Sequence, residues 1–153
     1  MQTILVTGGA GFIGSNFIPF FLEANSNFKV VNLDLLTYAG DLQNLKGVEG
    51  NSRYTFVKGD ICERNLVENL FQEHNIQGVI HFAAESHVDN SIKKPDAFVK
   101  TNIFGTFNVL DVARNHWMQG PNQYKKDYES SRFHHISTDE VYGSLEAEGL
   151  FTE

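Results

Sequence analysis

The segment Thr7-Gly8-Gly9-Ala10-Gly11-Phe12-Ile13-Gly14 constrains this chain more than any other, because it follows the apolar run Ile4-Leu5-Val6 and opens a helix-periodic stretch. Glycines between a strand and a helix leave backbone room in the tight turn, at the approach of an anion to the main chain, and where helix meets strand. The helix start adds N–H groups without intrahelical acceptors and the positive end of its dipole, so the turn suits a diphosphate. A glycine triplet alone is weak evidence, and an ordinary glycine-rich turn capped by Asp34 is the plain alternative. Here, however, Asp34 ends a second apolar run about twenty residues later, where an acceptor for a ribose hydroxyl belongs. Gly8, Gly11 and Gly14 are therefore read as a dinucleotide seat. Asp34 would accept from a ribose 2′-OH and repel a 2′-phosphate, and Leu35-Leu36 follow it rather than arginine, so NAD is expected over NADP.

Short β-branched and aliphatic runs recur between longer helix-periodic stretches, the sign of βαβ units and a parallel sheet. The strands are expected at Thr3 to Val6, Lys29 to Asp34, Tyr54 to Lys58, Gly78 to Phe82 and Arg132 to Ser137. Val79-Ile80-His81-Phe82 is continuous rather than alternating, as in strands covered on both faces. Helices are expected at about Phe12 to Asn25, Leu42 to Lys46, Arg64 to His74 and Asp96 to Trp117. The fold class is thus α/β, a Rossmann-type doubly wound parallel sheet of five strands in the order 3-2-1-4-5. Pro19 should kink the first helix, at a cost on the order of 3 kcal/mol unless packing compensates. Met118 to Ser131 is polar and aperiodic, and reads as a surface excursion. The helix from Asp96 to Trp117 is apolar nearly all round and needs a second cover; a partner subunit is preferred, with the rest of a longer chain the alternative.

The 153 residues suffice for one core, since a domain of this size buries roughly 68–70% of its unfolded surface. A net charge of -7 argues against a nucleic-acid surface, which relies on clustered Lys and Arg. Lys93-Lys94 and Lys125-Lys126 lie close to acidic residues and read as solvated faces. Cys62 alone cannot form an internal disulfide, no apolar run approaches a membrane span, and the first strand begins too early for a secretion signal. A cytoplasmic location is expected. His134 and His135 are adjacent on a strand and point to opposite faces, so no metal site is expected there. His81 reads as a packed core residue, while His87 either approaches substrate or caps a loop.

The glycines, with Asp60-Ile61 after the third strand and Ala83-Ala84 after the fourth, resemble the extended short-chain dehydrogenase/reductase family. Leu36-Thr37-Tyr38-Ala39-Gly40, Ala83-Ala84-Glu85-Ser86-His87-Val88-Asp89, Thr101-Asn102 and the run His134 to Gly143 resemble, within it, the sugar-nucleotide 4,6-dehydratases. The likeness runs the length of the chain. It implies that Phe12 and Ile13 lie along the pyrophosphate, that Asp34, Leu35, Leu36 and Thr37 hold the adenosine ribose, and that Asp60 and Ile61 meet the adenine. Phe82, Ala83, Ala84 and Glu85 would line the path to the nicotinamide, with Thr101 nearby. Ser86 and Thr138 would touch the sugar nucleotide, for which dTDP-glucose is implied. Thr138, Asp139 and Glu140 would form the catalytic group, Asp139 as general acid and Glu140 as base. The implied chemistry oxidises the sugar at C4, which acidifies the C5 proton; water is then eliminated across C5–C6, and the hydride returns to C6. Neighbouring carboxyls in different protonation states suit the elimination. A solvated loop pair or helix N-cap is the plainer reading of Asp139-Glu140.

The same resemblance requires a Tyr-x-x-x-Lys pair after the acidic loop and a C-terminal substrate domain, and this chain carries neither. Tyr54 and Lys58 match the spacing by letters but lie on an expected strand; Tyr142 is followed four residues on by Glu146. Residues 1–153 are thus expected to be an incomplete NAD-binding Rossmann domain from a longer homodimeric enzyme, inactive alone. The competing readings are a sugar-nucleotide 4-epimerase and a non-catalytic dinucleotide-binding protein. The acidic pair speaks against both, since an epimerase performs no elimination.

Overall fold

The computed structural model of the chain describes residues 1–143 and 149–150, without the side chains of Asp139 and Glu140. At its centre lie β1 (Gln2–Thr7), β2 (Phe28–Asp34), β3 (Tyr54–Lys58) and β4 (Ile76–His81). Two short strands, β5 (Met118–Gly120) and β6 (Gln123–Tyr124), precede the last, β7 (Arg132–His135). The main sheet is parallel throughout, in the order β3-β2-β1-β4-β7. With the fifth expected strand being β7, this is the expected doubly wound order, with its switch point between β1 and β4.

Alternation along each strand explains why the sheet is buried on both sides. Leu5 sits in register with Val31 and Val79, and this row packs against Val67, Leu70 and Phe71 of α2 (Arg64–His74) and Val109 and Val112 of α5 (Thr106–Trp117). Ile4, Val6 and Val30 face the other way, onto Ile18 and Leu22 of α1 (Phe12–Ala24) and onto Leu45 and Val48 of a 3-10 helix, Leu42–Val48. Each such fully buried aliphatic side chain stabilises the fold by about 1.5–3 kcal/mol relative to exposure. Pro19 does not end α1, which continues to Ala24. Its C-terminal end is satisfied from outside, as the Arg53 guanidinium donates to the carbonyls of Leu22 and Asn25 and also to that of Phe28 at the start of β2.

Some boundaries differ from the sequence reading. β4 starts at Ile76 rather than Gly78, because Ile76 is buried and its carbonyl accepts the Trp117 indole N–H at 2.7 Å. β7 ends at His135 rather than Ser137; Ile136 still donates its N–H to His81 O at 3.1 Å, and the chain then leaves the sheet. The expected surface excursion contains the β5–β6 hairpin, whose turn uses Pro121 and Asn122, the latter at φ 57°. A short helix, α3 (Val88–Lys93), was not anticipated.

The helix expected from Asp96 to Trp117 is present but not uniform. α4 (Pro95–Phe98) passes into a π-helical stretch, Val99–Gly105, and then into α5. One face of α5 is buried, whereas Val99, Ile103, Phe104, Phe107 and Leu110 are between 47% and 65% exposed. The apolar stripe that needs a cover is therefore real. No helix among the described residues is long and apolar enough to cross a membrane.

Candidate functional site

A groove of about 450 Å³ opens at the carboxyl ends of the strands, where ligands of open α/β sheets bind. Its floor is the glycine turn. Gly8 has φ 70°, and a Cβ there would stand 2.6 Å from Ala83 N; a Cβ on Gly14 would stand 2.6 Å from Gly8 O. Both positions are closed to side chains by the protein's own backbone. Gly11 differs, for a Cβ there would meet only Gly8 O, at 3.3 Å, so the space beside it belongs to the groove. Gly11 is also the N-cap of α1; it supplies no side-chain cap, and the first turn holds no acidic residue. The first N–H groups of α1 and its positive dipole end are thus left to an outside anion, as a diphosphate would need. Phe12 and Ile13, 84% and 58% exposed, form the adjoining wall.

Asp34 ends β2 against the groove and ties two loops together. Its Oδ2 accepts from Ala10 N–H and its Oδ1 from Leu36 N–H, both at 2.8 Å. Each carboxylate oxygen keeps a further lone-pair site for a ribose hydroxyl. The Oδ1 bond holds Leu36 at φ 57°. The Leu36 side chain packs against the core on the α1 side, while its backbone N–H meets Asp34, which lines the groove. Leu35 and Thr37 line it too, with Ala39 and Gly40 beside them.

The far wall comes from the loops after β3 and β4. Asp60 Oδ1 accepts from Cys62 N–H at 2.9 Å and Oδ2 from Lys100 Nζ at 3.1 Å. Burial would raise this carboxyl, but those two donors outweigh it and hold Asp60 below the usual carboxylate range. Ile61 lines the groove beside it, while burial, ahead of Asp60, pushes the Cys62 thiol up to about 11 and leaves it a packed, unreactive group. Phe82, Ala83, Ala84, Glu85 and Ser86 continue the wall. Asn102 pins that loop with its carboxamide, accepting from Glu85 N–H and donating to Glu85 O, both at 2.8 Å. Lys100, Thr101 and Asn102 all sit in the π stretch, and Thr101 lines the groove. π turns within α-helices are rare and frequent at functional sites.

Thr138 reaches the groove from beyond β7, together with Ile136 and Ser137, which the sequence reading left inside the strand. Asp139 and Glu140 follow in a 3-10 turn, Asp139–Tyr142, and their side chains lie outside the described residues. Tyr54 and Lys58 both lie on β3; Tyr54 accepts from Asn32 Nδ2 at 3.0 Å, and burial raises its pKa, the opposite of what a tyrosinate base needs. His81 is buried, with Nδ1 on Thr7 Oγ1 at 2.7 Å and Nε2 on Thr106 Oγ1 at 2.9 Å. His87 precedes α3, makes no side-chain cap bond, and sets its ring edge against Tyr38. Among the described residues no cluster of three metal-ligating groups occurs.

Residues 5–153 match the family model described as GDP-mannose 4,6 dehydratase. A dTDP-glucose 4,6-dehydratase of Xanthomonas campestris pv. campestris is 53% identical over 154 residues, covering 100% of this chain and 42% of the relative. A crystal structure of dTDP-glucose 4,6-dehydratase from Bacillus anthracis in complex with NAD aligns with a TM-score of 0.80 at 39% identity, covering 100% of this chain and 42% of that one. UDP-glucose 4-epimerase from Brucella ovis, in complex with NAD, is more distant, with a TM-score of 0.72 at 27% identity over 94% of this chain and 38% of that one. The chain spans less than half the length of the curated relatives it matches.

Proposed function

This chain belongs to the GDP-mannose 4,6 dehydratase family, and from that premise we propose that it is the NAD-binding portion of a dTDP-glucose 4,6-dehydratase. The observation that carries the reading is the groove itself, in which an open anion seat at Gly11, a carboxylate at Asp34 and the hydroxyl residue Thr138 stand together. Gly8, Gly11, Gly14, Phe12 and Ile13 would hold the diphosphate, Asp34, Leu35, Leu36 and Thr37 the ribose, Asp60 and Ile61 the adenine. Phe82, Ala83, Ala84, Glu85 and Thr101 would flank the nicotinamide. NAD bound there supplies a hydride acceptor for C4 of the sugar and returns the same hydride to C6. Ser86 and Thr138 orient the sugar nucleotide. Glu140 takes the C5 proton while Asp139 protonates the departing C6 hydroxyl, which leaves as water. None of these residues is given the role of base toward the C4 hydroxyl proton. The exposed stripe from Val99 to Leu110 is assigned to a homodimer of the whole enzyme, and the cytoplasm to its location.

An enzyme containing this chain, given dTDP-glucose, is expected to yield a 4-keto-6-deoxy sugar nucleotide, identified by mass and NMR. Asp139→Asn or Glu140→Gln should suppress elimination while NAD stays bound. Recovery of dTDP-galactose would overturn the reading in favour of 4-epimerisation.

A further inference from the structure

The two loops that wall the groove also touch each other. Tyr38, on the loop after β2, donates its hydroxyl to Glu85 Oε2 at 3.4 Å and lies edge-on to the His87 ring, with centroids 6.5 Å apart. Leu35, Thr37, Ala39 and Gly40 line the groove on one side of this contact, and Ala84, Glu85 and Ser86 on the other. The contact therefore links two stretches that line the cavity.

Each side is anchored by its own backbone. The Tyr38 loop is fixed by Leu36 N–H on Asp34 Oδ1, Gly40 N–H on Thr37 O and Asp41 N–H on Ala10 O. The Glu85 backbone is held at both its polar atoms by the Asn102 carboxamide. Between these fixed supports, the bridging bond is long and solvent-exposed, and Tyr38 itself is 65% exposed. A weak contact between rigid supports opens and closes without unfolding anything behind it.

We propose that Tyr38 and Glu85, backed by His87, form a clasp that closes over the bound dinucleotide and slows its release. The inference rests on the NAD reading above and deepens it: a cofactor that takes up a hydride and gives it back within one cycle must not leave between the two steps. Tyr38 acts here as a positioning residue, through Glu85, rather than by contact with the reacting atoms.

Release kinetics test this apart from activity. The enzyme containing this chain is loaded with radiolabelled NAD, chased with excess unlabelled NAD, and the retained label followed by rapid filtration for the wild type, Tyr38→Phe, Glu85→Gln and the double variant, each first shown by urea unfolding to be folded. Each single variant should release NAD about threefold to tenfold faster, and the double variant no faster than the quicker single. Multiplicative effects in the double variant would mean that the residues touch the cofactor independently, and unchanged release would mean that they do not retain it; either overturns the clasp. Failure of the wild type to hold any label would instead overturn the NAD reading, and the clasp with it.

Discussion

Acidification separates the contribution of one buried ring, His81, from the acid response of the whole chain. The ring is 1% exposed and bonded at both nitrogens to threonine hydroxyls. Burial, and then the neighbouring His135, lower its pKa from 6.5 to about 4. Because the folded-state value lies below the unfolded one, the unfolded chain takes up the proton first as pH falls. Stability from the neutral ring is fully present above about pH 6.5, is lost progressively down to about pH 4, and then levels off. At about 1.36 kcal/mol for each tenfold difference in proton affinity, the whole effect is about 3 kcal/mol, and about 2.4 kcal/mol of it falls between about pH 7 and 4.5. The measurement is urea unfolding of the wild type and His81→Gln at those two values. Glutamine keeps a hydrogen-bonding side chain but does not titrate, and the carboxylates Asp60 and Asp111, both held low by their partners, respond alike in the two proteins. The wild type should lose about 2 kcal/mol more than the variant on acidification. Equal losses would refute the assignment of a neutral, buried His81.

Three further substitutions probe the turn, an open glycine and the stripe. Gly8→Ala meets φ 70° and the Ala83 backbone at 2.6 Å, and should destabilise the chain by about 2 kcal/mol or more, whereas Gly47→Ala, with nothing within 4 Å, should be neutral or stabilising by about 0.5 kcal/mol; comparable urea midpoints would count against the packing argument. Phe107→Glu, at a site 58% exposed in the apolar stripe, should convert the proposed homodimer of the whole enzyme to monomer in sedimentation while leaving the unfolding midpoint of the isolated chain near its wild-type value. An intact dimer would remove that face from the interface.

The strands and the glycine turn were legible because their signals are local. Val79-Ile80-His81 reads as a two-faced strand wherever it occurs, and a turn such as Gly8 to Gly14 states its own geometry. The left-handed turn at Leu36, held by the bond from its N–H to Asp34, was not legible, because no periodicity reports a single left-handed residue. α3 and the β5–β6 hairpin are too short to carry a period. Ile136 and Ser137 look like strand by composition, yet the sheet neighbour that could extend them, β4, ends at His81. Tyr38 and Glu85 lie 47 positions apart, so their meeting is a property of the tertiary fold alone.

The π stretch has a consequence for how this site tolerates change in length. Lys100 and Asn102 reach the loops after β3 and β4 from within it, while Thr106 and Asn108, just beyond, reach His81 and the Ile61 carbonyl. A π turn holds one residue more than an α-helical turn, so loss of one residue between Val99 and Gly105 would let the stretch close to an ordinary α-helix, with α4 and α5 kept nearly in phase but the residues between them re-registered. The core contacts of α5 would survive such a deletion; the groove wall would not. Residue number in this one helix therefore acts as a calibration of the site, set by how many residues are present rather than by which ones.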